Sequence, residues 1–145
     1  MESCYPDQIL YVDSAQQRDP SISYDTESKK LRIQFEQPFS ASRIGVEKLV
    51  VILDERDVGK YSLFLHSDLI EPNFLNGRAR TVLFSMTKAA RTTEWRGKLN
   101  VWYADNILMN EMWPGEHNDM TLWVTDINGE LIPIEYMHTC LKIHK

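Results

Sequence analysis

Alternation constrains this chain more than any other feature: apolar and polar residues trade places with a period of two, and helical periodicity is scarce. In Lys30-Leu31-Arg32-Ile33-Gln34-Phe35 the apolar residues Leu31, Ile33 and Phe35 fall on one side of an extended chain. Successive side chains of a strand point to opposite faces, so such a segment has one greasy face and one wet face. Ser21-Ile22-Ser23-Tyr24 alternates in the same way, and Asp25-Thr26-Glu27-Ser28 between the two is turn material, which predicts a hairpin. Further strands are predicted at 46–53, 61–65, 80–86 and 98–103, with Tyr61, Leu63 and Leu65 in register. Residues 87–96 read as a short helical turn or an exposed loop. Residues 106–118, punctuated by Trp113-Pro114-Gly115, read as a long loop. The closing stretch MTLWVTDINGELIPIEYMHTCLKIHK predicts three strands, at 120–126, 131–136 and 139–144. Asn128-Gly129 is its hairpin signal, because both residues tolerate the positive φ of a type I′ turn.

Eight or nine short strands at intervals of roughly 10 to 15 residues, with no βα alternation and no internal repeat, predict an all-β sandwich or barrel. The strand number favours a single jelly-roll sandwich of about eight antiparallel strands in two sheets. The 145 residues are read as one domain, with residues 1–8 a flexible N-terminal tail. The longest apolar run, Leu49-Val50-Val51-Ile52-Leu53, falls far short of the roughly 18 residues a membrane span needs. The opening MESCYPDQ has neither a basic region nor an apolar stretch, so no secretory leader is expected. A net charge of −5 argues against general nucleic-acid binding, which needs a concentrated basic surface. Arg78, Arg80, Lys88 and Arg91 form a local basic patch, read as a solvated loop. Cys4 and Cys140 are the only cysteines, one in the tail and one in the last strand. No disulfide framework is expected, and a reducing compartment fits.

Motifs that carry chemistry are sparse. The 6 glycines, at 45, 59, 77, 97, 115 and 129, are isolated, match no phosphate-cradling spacing, and are read as turns or strand edges. No nucleophile elbow occurs, and Cys140 lying two residues after His138 does not make a catalytic dyad. Strand geometry puts His138, Cys140, Lys142 and His144 on one face. His138 and Cys140 are spaced to share a zinc ion, with His66 or His117 completing it. Against that stand the single available cysteine and Lys142, which repels a cation, so the face is read as a half-polar strand surface. The acids Asp68, Glu71, Asp105, Glu111, Asp119 and Asp126 supply carboxylates for glycoside hydrolysis but read as loop solubility. No enzyme activity, cofactor or metal is expected. If Leu99, Val101 and Tyr103 face the core, Trp102 points away, and Leu122 with Val124 turns Trp123 outward in the same manner. With Met109, Met112 and Trp113 these residues make a candidate subunit interface, since exposed apolar loops are costly and Trp is a frequent interface anchor. The alternative is a carbohydrate-binding, lectin-like jelly roll stacking sugars on the tryptophans; loops covering both sheets would return them to the core.

Four phrases resemble a known family. They are Ile9-Leu10-Tyr11-Val12-Asp13-Ser14 with Arg18-Asp19, then Tyr61-Ser62-Leu63-Phe64-Leu65-His66-Ser67-Asp68-Leu69, Arg80-Thr81-Val82-Leu83, and the closing segment 120–131. Together the pattern resembles the penton and minor capsid proteins of polintons, virophages and related eukaryotic double-stranded DNA viruses. The resemblance spans most of the chain and rests on strand pattern and short polar phrases, with no catalytic motif. It implies a single jelly roll, a homopentamer at the capsid vertex beside double jelly-roll major capsid capsomers, and residence in the virion after assembly inside the host cell. The chain has no room for the projecting domain that some vertex proteins carry, which leaves a vertex plug or minor cement protein and puts host attachment in doubt.

Overall fold

The alternating segments pair into two six-stranded antiparallel sheets. In the computed structural model, residues 8–15, 21–53, 62–87, 92–96, 99–103 and 107–145 are described, the backbone alone at 87, 92–96 and 99–103. The first sheet runs β1 (Gln8–Asp13), β14 (Ile134–His144), β4 (Arg43–Leu53), β10 (Leu99–Tyr103), β9 (Thr92–Arg96). A short β11 (Asn110–Glu111) sits beside β10 on the same edge of β4. The second sheet runs β2 (Ile22–Asp25), β3 (Lys30–Phe39), β12 (His117–Asp126), β5 (Ser62–Ser67), β8 (Val82–Thr87). There β13 (Leu131–Ile132) extends β12 beyond β3. A separate hairpin joins β6 (Asn73–Leu75) to β7 (Arg78–Arg80). No helix among the described residues is long and apolar enough to cross a membrane.

The pairings are nested: β1 with β14, β3 with β12, β4 with β10, and β5 with β8. A chain paired in this way is one long hairpin folded over itself, its strands shared between two sheets. That path is consistent with a jelly roll. It also sets β14 inside a sheet, clasped between β1 and β4. One apolar cluster fills the space between the sheets, with Leu31, Leu49, Val51, Leu65, Met120, Leu122, Met137 and Leu141 at or near zero exposure. Buried and less buried residues alternate over 30–34 of β3, 48–53 of β4 and 119–124 of β12, as burial against a second layer requires.

The pairing of β4 with β14 shifts register twice, once between Ile134 and Tyr136 and once between Cys140 and Leu141. Cys140 opposes Lys48 and Leu141 opposes Val46, which leaves Glu47 unpaired. The extra residue shifts the inward set of β4 from Ile44 and Val46 to Leu49, Val51 and Leu53. At that point the fully buried Thr139 hydroxyl donates to the Lys48 carbonyl at 2.9 Å, so the one polar side chain on the inward row of β14 is satisfied.

Several expectations change. Residues 92–96 are strand β9, because Thr92-Thr93-Glu94 supply an edge for β10 where a helical turn or loop was predicted. The closing segment has one uninterrupted strand, β14, from 134 to 144, with no break before Thr139. The hairpin at Asn128-Gly129 is not type I′, since only Gly129 has positive φ, at 85°. Asp126 sets the turn instead. Its carbonyl accepts from Gly129 N at 3.1 Å, and its carboxylate accepts from Asn128 N at 2.8 Å and Glu130 N at 3.0 Å. That is a type I turn closed by a left-handed glycine. The positive-φ pair expected there occurs at Asn76 (50°) and Gly77 (78°), in the β6–β7 hairpin. Gly45 is neither turn nor edge but lies buried within β4. The tail expected over 1–8 lies outside the described residues except Gln8, which is paired with Ile143.

Candidate interaction surface

The segment 107–116 leaves the first sheet, crosses the end of the sandwich and enters β12. Its local structure follows from alternation and from where its backbone hydrogen bonds go. Asn110 pairs with Ile44, and its side-chain amide donates to the Leu83 carbonyl of β8 at 3.3 Å, bridging the two sheets. Met112 N donates to Ser42 O and Trp113 N to Leu69 O, each at 2.9 Å, and Met112 forms an antiparallel bridge with Ile70. His117 Nε2 donates to the Trp113 carbonyl at 2.9 Å. Fastened this way, the segment turns Met112 into the core at 4% exposure and holds Leu108 at 75% and Trp113 at 44% exposure.

Beside Met112 lies an open groove of about 560 Å³, walled by Pro38, Phe39, Ala41 and Pro114 and rimmed by Glu111, Glu116 and Lys145. Glu111 is paired with Arg43 at 3.4 Å on this rim. The groove is therefore lined by apolar side chains together with Ser40, Ser42 and three charged residues.

The five candidate interface residues separate. Trp113 is exposed; Met109 is half-buried against β4; Met112 is core and meets the surface only as part of the groove lining. Trp102 belongs to β10, and its side chain lies outside the described residues. Trp123 is half-buried in the outer row of the second sheet between its two cross-strand neighbours, Lys30 of β3 and His66 of β5. Lys30 Nζ stands 4.6 Å from the ring centroid, and the His66 ring stacks parallel to the indole at 5.6 Å. Flanked from both sides, the indole offers a sugar no open platform. His66 is itself 2% exposed and shares a 2.7 Å hydrogen bond with Thr125 Oγ1. Burial, and after it the Arg80 charge, lowers its pKa to about 4. Sequence reading missed Leu108, whose position one residue before Met109 is its only signal.

The outer row of β14 holds Tyr136, His138, Cys140, Lys142 and His144, as alternation predicts. Register places Asp13 of β1 opposite His138, a pairing across 125 positions. Asp13 Oδ2 accepts from His138 Nδ1 at 3.2 Å and from the Tyr136 hydroxyl at 2.9 Å, and His138 Nε2 lies 3.8 Å from Cys140 Sγ. Burial pushes Asp13 up, but the hydrogen bonds from Ala15, Tyr136 and His138 outweigh it and hold the carboxyl below the usual range. Burial and the bond to Asp13 raise Tyr136 to about 12. The Cys140 thiol is raised, chiefly by burial, which opposes an activated nucleophile. His66 and His117 belong to the other sheet and do not complete a zinc site with His138 and Cys140. Among the described residues no three His, Cys, Asp or Glu side chains converge on a metal position.

Four of the six acids are occupied locally, Glu111 by Arg43 as above. Asp119 pairs with Arg32 at 2.6 Å; Asp68 accepts from Thr121 N at 2.8 Å and is raised, first by burial; Asp126 caps its own turn. Asp105, Lys88 and Arg91 lie outside the described residues. Cys140 is a free thiol, and Cys4 lies outside the described residues. Compared with known proteins, the chain matches neither a family model nor a curated sequence.

Proposed function

We propose that this chain is a structural capsid subunit, a penton or minor capsid protein that forms cyclic homo-oligomers and packs against major capsid capsomers. One observation carries the self-assembly: Leu108 and Trp113 are held outward by a segment fastened to both sheets, through backbone pairing with β4 and through the Asn110 side-chain amide on Leu83 O of β8. Large apolar side chains on a rigid support lose little conformational freedom when a partner covers them, so burial converts efficiently into affinity. The rim charges Glu111, Glu116 and Lys145 set orientation more than strength. The nested two-sheet path supports the jelly-roll part of the reading, and the four sequence phrases support the capsid part. Fold alone does not assign function, so the test addresses assembly. Negative-stain electron microscopy of the concentrated chain is expected to show rings with five-fold symmetry. Images of isolated single copies at every concentration contradict the proposal.

A further inference from the structure

Where the β6–β7 hairpin meets the β12–β13 turn, a groove of about 400 Å³ is lined by Leu75, Asn76, Arg78, Arg80, Ile127 and Asn128. Its polar side chains are two guanidiniums, which only donate, and two neutral carboxamides, which donate through nitrogen and accept through oxygen, so the charge in the lining is positive. Arg80 is half-buried, and Nη1 donates to the adjacent Ala79 carbonyl at 2.8 Å, which leaves most of its fork unused. No carboxylate of the described residues ion-pairs with Arg78 or Arg80; the pairs present engage Arg32, Arg43 and His138. Arg78 is exposed, but Arg80 is partly withdrawn from water, where a charged group ordinarily has a counter-charge, and here the described residues supply none.

The groove is also built on fixed backbone. Asn76 and Gly77 adopt φ of 50° and 78° in one wall, and Gly129 adopts 85° in the other. A Cβ at Gly129 would lie 3.8 Å from Arg80 Nη2, so the guanidinium rests against the second turn and joins the two walls. Asn73 locks the hairpin to β8 through both its amide atoms, donating to Val82 O at 2.7 Å and accepting from Val82 N at 3.1 Å.

We propose that this groove binds a phosphate-class oxyanion, with Arg78 and Arg80 as forked donors and Asn76 and Asn128 closing around it. A tetrahedral oxyanion accepts from several directions at once, which suits donors on two walls better than a planar carboxylate does. Arg80 lies close enough to His66 for its charge to add, after burial, to the lowered basicity of the imidazole. The site is independent of the assembly surface, since it shares no lining residue with the groove beside Met112.

The test is calorimetric titration of the full chain with inorganic phosphate, and with a short single-stranded oligonucleotide at equal total phosphate. Saturable binding of one phosphate per chain is expected, weakened at least about ten-fold in the Arg78→Gln/Arg80→Gln double variant. Asn128→Ala, at an exposed turn where φ is not positive, is the second variant and is expected to weaken binding several-fold even if the double variant misfolds. Tighter binding of the oligonucleotide identifies a phosphodiester as the source; equal or weaker binding identifies free phosphate or a monoester, and both support the site. Absence of saturable binding by either probe, or affinity unchanged in both variants, overturns it.

Discussion

His66 is buried as a neutral imidazole against Trp123, with a folded pKa near 4 against an ordinary value of 6.5. The sign follows from linkage. The unfolded chain takes up a proton at His66 near pH 6.5 while the folded chain refuses it until about pH 4, so the contribution is present above 6.5 and is lost as pH falls through that window. By pH 4 the loss amounts to about 3 kcal/mol on the scale of 1.36 kcal/mol for each pKa unit. Urea unfolding of the wild type and of His66→Gln at pH 7 and pH 4.5 isolates it, because titrating carboxylates cancel in the difference. The wild type is expected to lose more stability than the variant; equal losses would show that His66 is not buried neutral. Cys140 gives a second residue-scale expectation. Its raised pKa keeps it a thiol at neutral pH, able to donate toward His138 Nε2, so iodoacetamide should label it at least about ten times more slowly in the folded chain than after unfolding. Labelling at equal rates contradicts that geometry.

Among the elements, β4 bears the heaviest constraint, being clasped by β14 on one edge and by β10 and β11 on the other. Gly45 lets the segment after β10 approach it: a Cβ there would stand 2.6 Å from Ile107 Cγ2, 2.8 Å from Leu108 O and 2.9 Å from Met109 Sδ. Two of those atoms belong to side chains and one to backbone, so Gly45→Ala must displace the segment that carries Leu108. A cost of about 1–3 kcal/mol is expected from urea unfolding, as for other overpacked sites. A change within about 0.5 kcal/mol would mean that the segment is not seated as described. Nothing in the sequence around Gly45 reveals this role, because the neighbour that fills the space is more than sixty positions downstream. Strands β3, β5 and β12 were legible from alternation in the sequence itself, and β4 from its continuous apolar run, without help from distant partners. The unbroken β14, the bulge at Glu47 and the Asp13–His138 pair depend on register between strands far apart in the chain, which alternation does not encode. The β6–β7 hairpin was legible in principle: Asn76-Gly77 carries the signal that was assigned to Asn128-Gly129, where the Asp126 carboxylate stabilises a different turn.

For the whole molecule, the account requires one long hairpin rolled into two layers, with an apolar face left for sister copies. The candidate interface was only half legible. Trp113 is exposed, but Met112 faces inward because Ser42 and Ile70 capture its backbone, and Trp123 is closed off by neighbours on two strands. Exposed apolar groups of this size normally mark a contact surface in a folded chain. The most direct measurement is native mass spectrometry of the wild type and of Leu108→Ser/Trp113→Ser, whose side chains lie outside the core. The wild type is expected at five times the 17.0 kDa chain mass and the double variant at the mass of one chain. A wild type that stays at the single-chain mass, or a variant that assembles as well as the wild type, contradicts the account.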